Sequence, residues 1–235
     1  MSQLIVALDV ESAPAAEALL EKLVEFDLFF KVGYQALYGY GEQILRSLQE
    51  RDVRYFVDAK LHDIPRTVAS AVRTFVRPGA KIINVHALGG HEMMRGAVDA
   101  AQERAAELGL PVPQIFAVTV LTSIAAEDLG ELGLTGGLAE NAIRLAALAR
   151  DAGCSGVVCS AHEVADLKSF FGEEFLTLTP AIRPIGNARD DQKRVMDPRE
   201  ACVAGADYLV VGRPITAAID PAEATRAILA QMEAH

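Results

Sequence analysis

Eight short apolar runs recur along the chain, and between them hydrophobic residues appear at the spacing of an α-helix. The runs are rich in β-branched and aromatic residues and do not alternate between polar and apolar positions, which is typical of strands covered on both faces. We predict strands at residues 4–9, 28–33, 53–58, 81–87, 114–120, 156–160, 175–180 and 207–212. Helices are predicted at residues 12–26, 43–48, 65–72, 93–108, 138–152 and 161–170 and from residue 221 onward.

This alternation of strands and helices predicts an α/β fold in which helices cover a parallel sheet. Eight such units within 235 residues favour a closed (β/α)8 TIM barrel over an open doubly wound sheet. No Gly-x-Gly-x-x-Gly sequence follows the first strand, which also argues against a dinucleotide-binding fold. Because no linker or shift in composition divides the chain, we expect residues 1–235 to form a single domain.

The composition narrows the class of protein. Its formal net charge of −10 argues against a general affinity for nucleic acid or anionic membranes, so an anionic ligand would require a local basic site. Cys154, Cys159 and Cys202 lack metal-ligand spacing and are interpreted as core thiols in a reducing compartment. The first predicted strand begins too early for a signal peptide, and no apolar run is long enough to span a membrane. We therefore expect a cytoplasmic protein.

Polar residues stand where most of the predicted strands end. Active sites of (β/α)8 barrels lie at these carboxyl-terminal strand ends, so the residues there are the candidates for function. Any one of them could be an ordinary solvated residue, but so many together indicate a site, although a direct role for His86 stays open. The candidates are Asp9, Lys31, Asp58 with Lys60, His86, Thr122 with Ser123, Ser160, Arg183, and Gly212 with Arg213.

The stretch from Asp58 to Thr67 carries a dense cluster of opposite charges. Residues two apart on an extended chain share a face, so Asp58 and Lys60 are expected to point the same way and form an ion pair or a reaction centre. Asp63 and Pro65 then predict the N-cap and the first turn of a helix. Taken alone, the Asp-x-Lys-x-x-Asp spacing also fits a surface salt bridge beside a helix cap.

Two segments near the end of the chain suggest a phosphate site and its cover. Gly212 and Arg213 follow the eighth strand, and a glycine backbone beside a guanidinium group at the mouth of a short helix commonly holds phosphate in barrels. The connection from Arg183 to about residue 198 is rich in glycine, asparagine and charge, and it includes Gln192. Beside a phosphate site, such a segment is interpreted as a mobile lid.

Seven motifs are spread along essentially the whole chain. They are Ala7-Leu8-Asp9, Phe30-Lys31-Val32-Gly33, DAKLHDIPRTV from Asp58 to Val68, Asn84-Val85-His86-Ala87, VTVLTS from Val118 to Ser123, TPAIR from Thr179 to Arg183, and Val211-Gly212-Arg213. In these motifs the chain resembles the orotidine 5′-phosphate decarboxylase family. The motif that begins at Asp58 is highly specific to that family.

The resemblance implies a homodimer with shared active sites, orotidine 5′-phosphate as the substrate, and no cofactor. An alternating array of charges would carry the chemistry, with its last member reaching into the site of a second subunit: Lys31, Asp58, Lys60 and Asp63. Asp9 and Lys31 would bind the ribose with help from Thr67 of the partner subunit, and Thr122, with Ser123 as the alternative, would bind the pyrimidine. Gln192, Gly212 and Arg213 would hold the phosphate, and Arg183 would stand at the base of the lid.

The implied reaction explains why these residue types are needed. Loss of CO₂ from C6 of a pyrimidine leaves a carbanion in the plane of the ring, where the π system cannot delocalise it. The ammonium group of Lys60 could stabilise that charge and then supply its proton to C6. Asp58 would hold Lys60 and lie near the substrate carboxylate.

Two other kinds of barrel protein could also explain parts of this pattern. A magnesium-dependent barrel, such as hexulose-phosphate synthase or keto-gulonate-phosphate decarboxylase, shares the Asp-x-Lys-x-x-Asp motif but holds its metal partly with a glutamate where this chain has Lys31. A cation at that position opposes metal binding. A non-catalytic phosphate-binding barrel would be expected to have lost part of the charge array, whereas all four members are present in this sequence.

Overall fold

The computed structural model describes residues 2–184 and 194–233. Its parallel strands are β1 (Gln3–Ala7), β2 (Phe29–Val32), β3 (Arg54–Leu61), β4 (Ala80–His86), β5 (Gln114–Val118), β6 (Gly156–Val158), β7 (Leu176–Thr179) and β8 (Tyr208–Val211). Each strand pairs with its neighbours in sequence, and β8 pairs with β1, so the sheet closes into a barrel. The predicted (β/α)8 barrel is therefore confirmed.

Helices surround the barrel and connect its strands. Those described are α1 (Ala13–Leu23), α2 (Tyr34–Glu50), α3 (Pro65–Phe75), α4 (His91–Leu108), α5 (Leu138–Asp151), α6 (Val164–Phe171), α7 (Pro198–Val203), α8 (Arg213–Thr216) and α9 (Pro221–Glu233). None of the helices within these ranges is long and apolar enough to cross a membrane. All three cysteines are buried and unbonded, as predicted.

Alternate residues of the strands fill the interior of the barrel. One buried apolar cluster takes side chains from all eight strands: Ile5, Ala7, Phe29, Phe56, Ile82, Phe116, Val118, Val158, Leu178 and Val210. Strand neighbours of these residues belong to a second cluster shared with the surrounding helices. Because side chains alternate along a strand, Lys31, Asp58 and Asn84 continue the inward-facing rows of β2, β3 and β4. The interior thus changes from apolar to polar toward the carboxyl ends of the strands.

The order of the elements matches the prediction, but several boundaries differ, two of them near the predicted site. Strand β3 continues to Leu61 instead of ending at residue 58. Helix α2 begins at Tyr34, well before the predicted start at residue 43. Tyr40 has non-helical backbone angles within α2, and the glycines on either side of it weaken the helical pattern of the sequence there. The short helix α7 was not predicted because it contains too few residues to show a periodic pattern, whereas a short helix was expected after Gly212 and is present as α8.

The start of α3 also differs from the prediction. Ile64, and not Asp63, occupies the N-cap position, and no side chain caps the helix. The carboxylate of Asp63 lies one residue too early and accepts a hydrogen bond from the adjacent Ile64 N–H at 2.6 Å. Pro65 begins the helix, as predicted.

Candidate active site

A cavity of about 570 Å³ opens at the carboxyl ends of the barrel strands. This volume falls within the range of small-molecule binding sites. Most of the residues predicted from the strand ends line it: Asp9, Lys31, Asp58, Lys60, Thr122, Ser123, Arg183, Gly212 and Arg213. The closure of the barrel therefore brings together residues that are as far apart in sequence as Asp9 and Arg213.

Two carboxylates and two ammonium groups alternate along one wall of the cavity. Lys31 Nζ lies 3.0 Å from Asp9 Oδ1 and 3.2 Å from Asp58 Oδ2. The other oxygen of Asp58, Oδ1, lies 2.7 Å from Lys60 Nζ. Asp58 is therefore placed between two cations, and each of its oxygens faces one of them.

The array holds its charges although Lys31 and Asp58 are buried. Burial opposes ionisation of Asp58, but Lys31 and Lys60 outweigh it, so the pKa of this carboxyl lies below its ordinary value. Burial likewise opposes the charge on Lys31, yet Asp58 and Asp9 raise the pKa of its ammonium group. Each ion thus stabilises the charge of its neighbours at a site where burial removes most of the stabilisation by water.

Asp58 and Lys60 meet as predicted, but the strand there is not regularly extended. Lys60 has a φ of +41°, in the left-handed region that residues with a Cβ rarely adopt. The register of β3 against β4 also shifts between Val57, opposite Ile83, and Leu61, opposite Val85. A bulge in β3 therefore places the two charges side by side. The predicted contact between Asp58 and Lys60 is present, but the regular alternation of an ideal strand does not produce it.

Asn84 lies opposite this bulge and is completely buried. Its side-chain Oδ1 accepts a hydrogen bond of 2.7 Å from the backbone N–H of Lys60. Its Nδ2 donates a hydrogen bond of 2.7 Å to Asp58 Oδ1. One side chain thus connects the backbone of Lys60 to the carboxylate of Asp58.

Gly33 leaves the space that the array needs. A Cβ at this position would lie 2.6 Å from Lys31 Nζ and 2.8 Å from Asp9 Oδ1. A Cβ atom essentially never approaches another heavy atom this closely, so any larger residue would require the side chains of the Lys31–Asp9 pair to shift. The glycine is required by this close approach and not by its backbone angles.

Four of the predicted site residues that the structure describes do not line the cavity of this chain: Asp63, Thr67, His86 and Ser160. Asp63 and Thr67 are exposed, and neither lines the cavity. They flank Ile64, an apolar side chain that is 67% exposed. The predicted roles of these two residues in a shared active site stay predictions.

His86 also stays outside the lining of the cavity. Its ring stacks on that of His62, with 5.3 Å between the ring centroids. Burial, with smaller contributions from His62 and Lys60, lowers the pKa of His86 to about 4. This histidine is therefore neutral at physiological pH.

The anion-binding candidates fall into two groups. Arg183, Gly212 and Arg213 line the cavity, and Arg183 also donates a hydrogen bond to the carbonyl of Ile182. Gln192 and the central part of the predicted lid lie outside the described residues. The lid and the role of Gln192 stay predictions.

Two contributors to the site were not singled out from the sequence. Asn84 and Gly33 both occur in the motifs that carry the family resemblance, but neither was given a role. An asparagine within an apolar strand is a visible signal, since a buried amide requires partners. The need for glycine at position 33 depends on the positions of two distant side chains and has no signal in the local sequence.

The chain is similar to known proteins along nearly its whole length. The family model described as Orotidine 5′-phosphate decarboxylase / HUMPS family matches residues 2–228. A relative from Moorella thermoacetica, named orotidine 5′-phosphate decarboxylase, is 48% identical over 98% of this chain and 92% of its own length. A protein of the same name from Escherichia coli is 45% identical over 99% of this chain and 93% of its own length.

Solved structures show the same similarity. The crystal structure of orotidine 5′-phosphate decarboxylase from Lactobacillus acidophilus matches with a TM-score of 0.87 and 36% identity, and the match covers all of both chains. A conserved uncharacterized protein from Geobacillus kaustophilus matches with a TM-score of 0.85 and 36% identity over 98% of this chain and 100% of the other. On these matches, the chain belongs to the orotidine 5′-phosphate decarboxylase / HUMPS family.

Proposed function

We propose that this protein decarboxylates orotidine 5′-phosphate (OMP) to uridine 5′-monophosphate (UMP) and CO₂, a step of pyrimidine nucleotide synthesis. The observation that carries the proposal is the alternating array of Lys31, Asp58 and Lys60 in the wall of the barrel cavity. Its relatives' names and its family membership support the same activity. The proposed reaction uses no cofactor.

Lys60 is the residue that meets the reacting carbon in this proposal. As the C6–carboxylate bond breaks, its electron pair stays on C6 and CO₂ leaves. The Lys60 ammonium group stabilises the developing charge and then transfers one proton to C6, and the lysine is reprotonated from solvent. Because the ammonium is already held by Asp58, little reorganisation is needed when the charge develops.

Asp58 serves mainly to position the two lysines. Its oxygens lie 2.7 Å from Lys60 Nζ and 3.2 Å from Lys31 Nζ, so it fixes both cations at once. The same carboxylate would lie near that of the substrate, and this repulsion would end when CO₂ leaves. We assign most of the rate enhancement to Lys60, because stabilisation of the developing charge acts directly on the transition state.

The remaining residues of the cavity bind the rest of the nucleotide in this proposal. Asp9 and Lys31 bind the ribose hydroxyls, and Thr122 hydrogen-bonds the pyrimidine, with Ser123 next to it as the alternative. Gly212, Arg213 and Gln192 hold the phosphate, and Arg183 stands at the base of the lid. Phosphate binding far from C6 would then supply energy for closing and drying the site.

We also propose that the active protein is a homodimer with shared sites. Asp63 and Thr67 are exposed, and each would complete the site of the partner subunit. Exposed apolar side chains follow three neighbouring strands on this side of the barrel: Tyr34 and Tyr38 after β2, Ile64 after β3 and Leu88 after β4. Tyr34 also approaches the array, since its ring centroid lies 5.5 Å from Lys60 Nζ. Burial of these side chains against a second copy would contribute to association.

The magnesium-dependent members of this barrel group are the main alternative. The ammonium of Lys31 lies within 3.2 Å of both Asp9 and Asp58, where it occupies the space between the two carboxylates. A divalent cation there would have to displace it. Decarboxylation that continues in EDTA would therefore argue for the proposed reaction and against the metal-dependent one.

The test is loss of OMP absorbance in purified protein without added cofactor and with EDTA present. The Lys60→Ala variant should still bind nucleotide but lose more than about 1,000-fold in single-turnover rate, because both the charge stabilisation and the proton donor are gone. Lys22→Ala, which changes an exposed lysine on α1, is the matched control and should keep the wild-type rate. Substantial decarboxylation by Lys60→Ala would refute the mechanism, and an inactive wild type would refute the function.

A further inference from the structure

We infer that Asn84 is a positioning residue that sets the geometry of both Lys60 and Asp58. The inference rests on the proposed function, because it concerns the same charge array. Asn84 does not line the cavity, so it would act through the two residues that it contacts and not on the substrate itself. Three observations support this role.

The first observation is the mismatch between β3 and β4. Val57 pairs with Ile83 and Leu61 pairs with Val85, so three residues of β3 face a single residue of β4. That single residue is Asn84. The regular ladder cannot satisfy the backbone of the bulge, and a polar side chain opposite it can take over this task.

The second observation is the conformation of Lys60. Its φ of +41° is unfavourable for a residue with a Cβ, so surrounding contacts must maintain it. The Lys60 N–H donates a hydrogen bond of 2.7 Å to Asn84 Oδ1, and this bond stabilises the backbone conformation of Lys60. The direction in which the Lys60 side chain leaves the strand therefore depends on the amide of Asn84.

The third observation is the second hydrogen bond of the same amide. Asn84 Nδ2 donates to Asp58 Oδ1, the oxygen that also accepts from Lys60 Nζ. This bond fixes the plane of the carboxylate so that its other oxygen faces Lys31. The amide orientation is unambiguous, since one end faces an N–H donor and the other an acceptor-only carboxylate.

Replacement of Asn84 should therefore lower kcat much more than it weakens nucleotide binding. A displacement of about 1 Å at a reacting group can cost about 100-fold in rate. The groups proposed to hold the base and the phosphate, Thr122, Gly212 and Arg213, follow β5 and β8 instead of β4, and we expect them to stay in place. A residue with a purely structural role would lower stability without this separation of kcat from KM.

The experiment compares Asn84→Ala and Asn84→Asp with wild type, and rates are expressed per folded molecule. Asn84→Ala removes both hydrogen bonds, and we expect kcat for OMP to fall by about 100-fold while the Kd of UMP changes by less than about fivefold. Asn84→Asp keeps an acceptor for Lys60 but sets a second carboxylate against Asp58, so kcat should also fall by at least about tenfold. Asn84→Asp also carries the test if the alanine variant does not fold.

Thr177→Val is the matched control. Thr177 is completely buried and hydrogen-bonded to Asp207, but it lies toward the amino end of β7, away from the cavity. The Thr177→Val variant should be less stable than the wild type but should keep the wild-type kcat. The inference is overturned if the folded Asn84 variants keep kcat within about threefold of wild type, or if UMP affinity falls as much as kcat. An inactive wild type would instead refute the proposed function, so the two failures are distinguishable.

Discussion

Lys60 combines an unfavourable backbone conformation with the proposed role of proton donor. Its φ of +41° is maintained by the side chain of Asn84, and its Nζ is held 2.7 Å from Asp58. Such strained residues persist where the surrounding structure over-determines them, and they cluster at functional sites. At Lys60, the strain and the array have the same explanation, because the bulge that produces the strain also presents the two charges.

His86 is a partly buried histidine whose protonation should affect the stability of the fold. Its pKa of about 4 lies below the ordinary 6.5, because burial and the neighbouring His62 and Lys60 disfavour the charged ring. The buried Nδ1 has no hydrogen-bond partner in the described part of the chain. As the pH falls below 6.5, His86 therefore binds a proton in the unfolded chain but stays neutral in the folded chain until the pH approaches 4. The stability that neutral His86 contributes is present above pH 6.5 and is lost as the pH falls toward 4.

Because of His86, we expect the free energy of unfolding of the wild type to fall by on the order of 1–2 kcal/mol between pH 7 and pH 4.5, after allowing for the partial exposure of the ring. Urea unfolding at both pH values measures it. His86→Gln should lose less stability than the wild type over this interval, whatever its stability at pH 7. His91→Gln, at an exposed histidine at the start of α4, should behave like the wild type. Equal losses in wild type and His86→Gln would contradict the prediction.

Secondary-structure elements could be predicted from the sequence wherever the pattern that indicates them lies within one short segment. Most strands are apolar runs with a polar residue at or soon after their carboxyl end, so the strands and the edge that carries the site could both be predicted. The contact between Asp9 and Lys31 depends instead on the register of β1 against β2, in which Ala7 lies opposite Lys31. Register across a parallel pair is set by the whole barrel and is not encoded in either strand alone.

The bulge in β3 shows the same limit. Within the sequence, Asp58 and Lys60 look like two residues of one extended face, and nothing local indicates that Lys60 leaves the β region. The conformation becomes favourable only because Asn84, 24 positions away, accepts from the Lys60 N–H. The sequence pattern therefore indicates the charged residues of the array but not the asparagine that contacts two of them.

A buried ion pair connects the ends of three neighbouring elements. Arg194, the first described residue after position 184, pairs with Glu163; the side chain of Glu163 is 4% exposed and that of Arg194 is 13% exposed. Arg194 also donates to the carbonyls of Val120 and Leu121 at the end of β5, at 3.2 and 3.1 Å. The second oxygen of Glu163 accepts from the Ser160 N–H after β6 at 3.0 Å. The pair thus stabilises the segment that leads into Thr122.

Breaking this pair should be costly, because the remaining charge is left buried without its partner. We expect Glu163→Gln to lower the free energy of unfolding by roughly 3–5 kcal/mol. In a double-mutant cycle with Arg194→Met, the double variant should lose less than the sum of the single variants, by about 1–3 kcal/mol. Urea unfolding gives all four values.

The exposed pair of Glu223 and Arg226 on α9 is the matched control, because its partners are close but solvated. The cycle of Glu223→Gln with Arg226→Met should show no measurable coupling. Additive losses at Glu163 and Arg194 would mean that the buried pair does not act as a unit, and the proposed connection between β5 and β6 would have to be abandoned.

At the scale of the whole molecule, the barrel places a basic site in an acidic protein. The chain carries a formal net charge of −10, yet Lys31, Lys60, Arg183 and Arg213 converge on one cavity. Closure of the sheet through β1 and β8 brings the first and last parts of the chain side by side in the same site. An anionic nucleotide would therefore be attracted to one place on a surface that otherwise repels it.

The proposed sharing of active sites between two subunits can be tested with mixed dimers. Lys60 lines the cavity of its own chain, whereas Asp63 is exposed and is proposed to enter the site of the partner subunit. Lys60→Ala and Asp63→Asn should each be nearly inactive alone. A mixed dimer, however, contains one site with both defects and one site with neither. Random exchange makes half of the dimers mixed, so about one quarter of the wild-type activity should return after the variants are dissociated and reassociated together.

The control uses two residues that already meet within one chain. Asp58 Oδ1 lies 2.7 Å from Lys60 Nζ, so every site of a Lys60→Ala and Asp58→Asn mixed dimer keeps one defect, and no activity should return. Sedimentation of the wild type and of differently tagged variants verifies that dimers form and exchange. Since only residues from different subunits can complement in this way, recovery in the first mixture alone would place Asp63 across the interface. A monomeric active wild type, or verified exchange without recovery, would mean that each chain completes its own site.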